Sequence, residues 1–211
     1  DLSSTRTDGF PARMDANDDS PYKNDSINLK LGSTFGNTDL DFQLLKSRGR
    51  TDYYDFFLTP VAQDYSNTAS SLIAKINALE TWISKIKISF FEDEIKQRQS
   101  TDFLKTRRYE LDWQNDIAIG SANLVTAGVQ AYQENAQSLS FGSGFDEDID
   151  TVGLYVQDQF ESGANQLTAG LRYTDHSAFD GKTTGELSYG YQANQATKLI
   201  VSFATGFRAP G

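Results

Sequence analysis

Hydrophobic and polar residues alternate most clearly over residues 108–119. One parity is apolar or aromatic: Tyr109, Leu111, Trp113, Ile117 and Ile119. The other parity is charged or polar: Arg108, Glu110, Asp112, Gln114 and Asp116. Because successive side chains of a strand point to opposite faces, this period of two predicts a β-strand with one apolar and one charged face. The segment is longer than the five or six residues typical of strands in globular proteins.

The same alternation recurs along the chain and predicts about ten strands. The connections between them alternate between short turns and long loops. Short turns are predicted at residues 36–38, 79–81, 120–123, 162–165 and 194–197, and long loops at about 1–26, 46–66, 92–104, 133–150 and 174–182. The predicted fold is therefore all-β, an antiparallel up-and-down meander with tight turns at one end and loops at the other.

Two kinds of protein fit such a meander. A soluble sandwich or lipocalin-like barrel would bury the apolar parity in a core, whereas a transmembrane β-barrel would turn it towards lipid. Strands near the nine to eleven residues needed to cross a membrane favour the barrel. Aromatic residues near strand ends, such as Trp82, Phe90 and Tyr173, are typical of interfacial girdles. The sequence therefore predicts that residues 1–211 form about ten strands of a larger transmembrane β-barrel.

The amino-acid composition argues against several classes of protein and of functional site. A net charge of -10 argues against a nucleic-acid partner, because phosphate binding needs clustered Lys and Arg. No apolar run is long enough for a transmembrane helix, and the absence of cysteine excludes disulfides and zinc–thiolate sites. The single histidine, His176, has no nucleophile motif around it, so no enzyme is expected. The chain opens at Asp1 without a targeting segment and stops after a strand-like run, and we expect a fragment of a longer protein.

Two segments carry a family resemblance. Residues 202–210, Ser-Phe-Ala-Thr-Gly-Phe-Arg-Ala-Pro, resemble the strand-and-loop signature of TonB-dependent outer-membrane receptors. Residues 154–160 and 167–173 are similar to the hairpin that precedes this signature. The resemblance implies a location in the bacterial outer membrane and contact with outer-membrane lipid. It also implies an internal part of a 22-stranded barrel, with TonB engaged only through a plug domain that this chain lacks.

The acidic and aromatic loops resemble those of the cobalamin branch of the family. This resemblance implies binding of cobalamin or a related corrinoid, with calcium ordering the extracellular loops. The implied calcium ligands are Asp8, Asp15, Asp18, Asp19, Asp55 and Asp64. The implied ligand contacts are Tyr53, Tyr54, Phe56 and Phe57. Calcium prefers six to eight such oxygen ligands, although the spacing here is not that of an EF-hand.

Other interpretations stay open at this point. The acidic loops could simply be solvated, and the aromatic residues could pack against neighbouring loops. The barrel could belong to a receptor for a siderophore or another nutrient, or to a passive porin-like structural barrel. Because a cut barrel wall has unpaired strand edges, we expect the isolated chain to pair with a second copy or to close as a strained small barrel.

Overall fold

The computed structural model describes residues 1–11 and 19–207 of the 211-residue chain. Eleven antiparallel strands form one sheet in the order of the sequence. Their bounds are β1 Leu2–Thr7, β2 Tyr22–Phe35, β3 Thr38–Tyr54, β4 Pro60–Leu79, β5 Trp82–Gln97, β6 Phe103–Ile119, β7 Asn123–Ser140, β8 Ser143–Ser162, β9 Asn165–His176, β10 Phe179–Asn194 and β11 Thr197–Ala204. The predicted antiparallel up-and-down meander is confirmed. None of the described residues forms a helix long and apolar enough to cross a membrane.

Five tight turns join the strands at one end of the sheet, which we call the lower end. They lie at the positions that the sequence predicts, at residues 36–37, 80–81, 120–122, 163–164 and 195–196. Gly36, Gly120 and Gly163 have φ angles of 61°, 64° and 59°. Glycine adopts this left-handed conformation without steric cost, which explains its place in these hairpin turns.

The connections at the opposite, upper end are shorter than the sequence predicts. Strands occupy most of the predicted loops, and at this end the described residues outside strands are reduced to 8–11, 19–21, 55–59, 98–102, 141–142 and 177–178. The pairing of β1 with residues 22–27 also adds an eleventh strand within the predicted loop 1–26. Ladder hydrogen bonds join backbone groups, so a strand can continue where its side chains are polar on both faces and the apolar alternation has ended.

The two faces of β6 confirm the predicted separation of environments. Tyr109, Leu111 and Trp113 are 54%, 46% and 46% exposed, and they share what we call the outer face. Glu110 and Arg108 lie on the opposite, inner face, and their side chains are only 12% and 32% exposed. Apart from glycines, the described residues bury only Ala62, Ser84 and Thr151. The sheet is therefore a wall without a core of its own, as expected of a sheet between lipid and a lumen.

Glu110 organises the polar side chains of the inner face. Its carboxylate accepts hydrogen bonds from Arg108 at 2.8 Å and from Gln130 at 3.1 Å, and it lies 3.6 Å from the Lys87 ammonium. Because these partners come from β5, β6 and β7, the network ties three strands together through their side chains. Such a network compensates the desolvation of charges on a half-buried surface.

The outer face changes from apolar to charged at the pair formed by Phe90 and Tyr109, whose ring centroids are 5.0 Å apart. We call this pair the upper girdle. Immediately above it, Glu92 accepts a hydrogen bond from Arg107 at 2.7 Å and lies 3.2 Å from Lys105. From Trp82 near the lower turn to Phe90 the strand rises about 26 Å, or about 20 Å along the axis of a barrel with strands tilted by about 40°. This height suits the apolar band of a membrane barrel.

The sheet is open in the described part of the chain, because β1 and β11 each have only one neighbouring strand. The expectation that the isolated chain closes as a strained small barrel is therefore wrong. A wide barrel curves gently from one strand to the next, so eleven strands with that curvature do not bring β1 and β11 together. Pairing of these edges with a second copy stays a prediction.

Candidate ligand site at the upper end

The hairpin between β3 and β4 ends in a compact turn that displays two aromatic rings. One carboxylate oxygen of Asp55 accepts hydrogen bonds from the backbone N–H groups of Phe57 at 2.9 Å and Thr59 at 2.8 Å. This side chain closes the turn in the manner expected of aspartate. Phe56 and Phe57 are 89% and 83% exposed and meet edge to face, with ring centroids 5.5 Å apart. The turn therefore presents an apolar tip to the exterior.

Hydrogen bonds join this hairpin to the loop between β5 and β6. The Gln97 side-chain amide donates to the Tyr53 hydroxyl at 2.9 Å. The backbone N–H of Ala62 donates to the Gln99 side chain at 2.9 Å, and the Arg98 N–H donates to the Ala62 carbonyl at 2.9 Å. Ala62 is only 2% exposed, so these bonds are shielded from water. Side-chain and backbone hydrogen bonds therefore connect the two hairpins at the upper end.

A further contact joins the β5–β6 loop to the turn between β7 and β8. The backbone N–H of Phe141 donates to the Asp102 carboxylate at 3.2 Å. Phe141 has a φ angle of 50° and is 97% exposed, so its ring extends away from the sheet. Three neighbouring hairpins are therefore connected at the upper end, and each contributes to one depression in the wall.

A cavity of about 610 Å³ lies between these three hairpins. The register of the ladder places Tyr53, Ile95 and Leu104 on the inner face, where they form its apolar part. The full lining consists of Tyr53, Asp55, Val61, Ile95, Gln97, Gln99, Ser100, Asp102, Phe103, Leu104, Ser138, Leu139, Ser140 and Phe141. Apolar and aromatic side chains with a few amide and hydroxyl groups are typical of small-molecule sites.

The charge of this cavity is negative or neutral throughout. Its described lining contains the carboxylates of Asp55 and Asp102 but no Lys, Arg or His. The nearest cation in sequence, Arg98, forms an ion pair at 2.9 Å with Asp64, on the outer face of β4. The cavity offers hydrogen-bond donors through amides and hydroxyls, and it does not offer a cation to an anionic ligand.

The predicted calcium ligands do not form a cluster in the described residues. Asp15 and Asp18 lie outside residues 1–11 and 19–207, whereas Asp8 and Asp19 are exposed on either side of the connection from β1 to β2. Asp55 closes its own turn and Asp64 pairs with Arg98. Within the described ranges, no three Asp, Glu or His side chains come together at metal-binding spacing. Calcium binding stays a prediction.

The predicted aromatic contacts separate into three environments. Tyr53 lines the cavity, Tyr54 is half-buried at the end of β3, and Phe56 and Phe57 form the exposed tip. The structure adds lining residues that the sequence interpretation missed, among them Gln97, Gln99, Leu104, Asp102 and Phe141. Their only signal in the sequence is their place in predicted loops, because the hydrogen bonds that bring them together are non-local.

Comparison with known proteins gives the family. The family model described as "TonB dependent receptor-like, beta-barrel" matches residues 1–211. The chain is 23% identical over 150 residues to the vitamin B12 transporter BtuB of Vibrio vulnificus strain CMCP6, covering 69% of this chain and 24% of that protein.

Two solved structures have the same fold at low identity. The siderophore receptor PirA from Pseudomonas aeruginosa matches with a TM-score of 0.79 and 17% identity, over 100% of this chain and 36% of that chain. The FrpB iron transporter from Neisseria meningitidis matches with a TM-score of 0.77 and 12% identity, over 96% and 42%. This chain thus spans between a quarter and about two fifths of these relatives. With its transmembrane wall and a match over its entire length, this chain belongs to the TonB-dependent receptor β-barrel family of the bacterial outer membrane.

Proposed function

We propose that this chain supplies about half of the barrel wall, and part of the extracellular mouth, of a receptor that binds cobalamin or a related corrinoid and imports it. The observation that carries the ligand class is the lining of the 610 Å³ cavity, which has amide and hydroxyl groups but no described cation. Cyanocobalamin has no net charge, and its ring is bordered by amide groups that can pair with Gln97 and Gln99. The similarity to a vitamin B12 transporter supports the same ligand.

The cavity is less suited to a strongly anionic ferric siderophore. Such a ligand would lie beside Asp55 and Asp102 without a cation to compensate its charge. At close range, like charges cost several kcal/mol in recognition. The similarity to siderophore receptors in the solved structures supports the fold and the import machinery. The ligand is inferred from the charge of the cavity.

We also propose that the receptor works with TonB through a plug that lies outside this chain, and that it has no catalytic activity. The match to a receptor family supports the latter. Calcium ordering of the upper loops is part of the proposal, carried by the resemblance of the acidic loops alone.

Isothermal calorimetry on the intact receptor tests the ligand. Cyanocobalamin is expected to bind with measurable heat, and Gln97→Ala is expected to weaken binding about tenfold through the loss of one hydrogen bond worth about 1–1.5 kcal/mol. Gln43→Ala, on the inner face of β3 well below the cavity, is the matched control and should leave the affinity unchanged.

The same titration distinguishes the alternatives. Heat with a ferric siderophore and none with cyanocobalamin would refute the corrinoid assignment. Repeating the cyanocobalamin titration after chelation with EGTA tests the calcium proposal, since unchanged affinity without calcium would contradict it. Binding to Gln97→Ala that equals wild type would remove this cavity from the site.

A further inference from the structure

Two cations on β3 lie on the outer face just above the apolar band. The register pairs Leu44 with Leu29 and Ser70, in the row of the upper girdle, and Lys46 lies one row above it. Arg48 is one row higher on the same face. Both side chains are exposed. On β3 itself Leu44 is the last apolar residue of the outer face below Lys46 and Arg48, so both cations lie where the outer face of a membrane barrel passes from lipid chains to headgroups.

These two cations differ from the other basic residues that β2, β3, β5 and β6 place on the outer face in this upper region. Each of the others on β2, β3, β5 and β6 has a carboxylate partner: Lys23 with Asp25, Arg50 with Asp52, Lys96 with Glu94, Lys105 with Glu92 and Glu94, and Arg107 with Glu92. Lys46 and Arg48 have no ion-pair partner in the described part of the chain. Their charge is therefore available to an external anion.

A groove of about 590 Å³ adjoins them between β1, β2 and β3. Leu2 and Ile27 provide its apolar surface, and Ser4 and Asp25 its polar edge. The Asp25 carboxylate is directed to other partners, because it accepts a hydrogen bond from Ser4 at 2.7 Å and lies 3.4 Å from Lys23. The groove thus combines two unpaired cations with an apolar surface that continues downwards into the lipid band.

We propose that Lys46, Arg48 and this groove bind a phosphate-bearing lipid of the outer leaflet. The ammonium and guanidinium groups would hold the phosphate, since both are strong donors to phosphate oxygens. An acyl chain would lie over Ile27 and Leu2 and continue past Leu29 and Leu44. A soluble phosphate lacks the apolar contact, which makes a lipid the better complement of this surface.

Native mass spectrometry of the intact receptor in detergent micelles tests the site. The receptor is titrated with diphosphoryl lipid A and, separately, with the same lipid after its phosphates have been removed enzymatically. The double variant Lys46→Gln/Arg48→Gln is expected to weaken the first binding event roughly 30-fold, from about 1 kcal/mol for each cation near a charged lipid. The control Lys96→Gln/Arg107→Gln removes two paired charges from the same face and should change the affinity less than threefold.

Three outcomes would overturn the proposal. The first is equal binding of the two lipids by the wild-type receptor, a result that does not depend on whether the variants fold. An equal loss in both double variants would show a general effect of charge and not a site. Full competition by inorganic phosphate would show an anion site that does not require the lipid.

Discussion

The assignment of the outer face to lipid predicts a large penalty for a charge at its centre. Ile86 lies on this face, paired with Trp113 and Ala74, four residues from both Trp82 and the upper girdle residue Phe90. It is therefore about 10 Å from either end of the band along the barrel axis. We expect Ile86→Arg to destabilise the receptor by about 2–4 kcal/mol, the cost of a cationic side chain near the bilayer midplane.

Two control variants test whether contact with lipid causes this penalty, because they place the same charge outside the lipid-facing band. Gln114→Arg introduces the same charge at the same depth on the inner face, where Asp116 accepts hydrogen bonds from Gln114 at 3.0 Å and can pair with the new cation. Gln137→Arg introduces it on the outer face above the girdle, next to Asp146. Both should cost less than about 1 kcal/mol, because each new cation meets water and a carboxylate that compensates the lysine opposite it in the ladder, Lys85 opposite Gln114 and Lys105 opposite Gln137.

The assay is urea unfolding of the intact receptor in phospholipid vesicles, followed by tryptophan fluorescence at matched protein and lipid concentrations. The difference in unfolding free energy between Ile86→Arg and Gln114→Arg is the decisive quantity. A difference near zero would mean that both faces meet similar solvents, and a larger penalty for Gln114→Arg would mean that the faces are reversed. Either result would refute the placement of this wall in the membrane.

The remaining predictions concern positions where the backbone and side chains are closely fitted. At Gly128 a Cβ atom would overlap the Tyr155 hydroxyl and lie 2.6 Å from the backbone carbonyl oxygen of Trp113, so Gly128→Val should lower stability by about 1–3 kcal/mol, and Tyr155→Ala should restore only the part of this loss that comes from the side-chain overlap. Equal urea midpoints for the single and double variants would contradict this explanation. In the β3–β4 turn, Asp55→Ala leaves two backbone N–H groups without their acceptor and should cost about 1 kcal/mol locally. Faster amide exchange confined to residues 55–59 is the expected signature, and unchanged protection would be evidence against it.

The sequence by itself determined the alternation, the turns and the faces. Period-two patterning is a local property, and within the membrane band the solvents on the two sides of a strand differ enough to enforce it. Tyr109 and Glu110 therefore have the predicted environments, and Gly36 and Gly163 occupy turns at the predicted places. The resemblance of residues 202–210 to a family signature gave the family, which the match over the full length confirms.

Only the tertiary structure decided the length of the strands above the girdle, the added strand β1 and the residues of the cavity. In these regions pairing depends on backbone hydrogen bonds and on ion pairs such as that between Arg107 and Glu92, which leave no hydrophobic period in the sequence. The cavity joins Tyr53 to Gln97 and Asp102 to Phe141 across strands that are distant in the chain. Local chemistry specifies each strand, but the cavity forms only when the upper ends of three hairpins are in register.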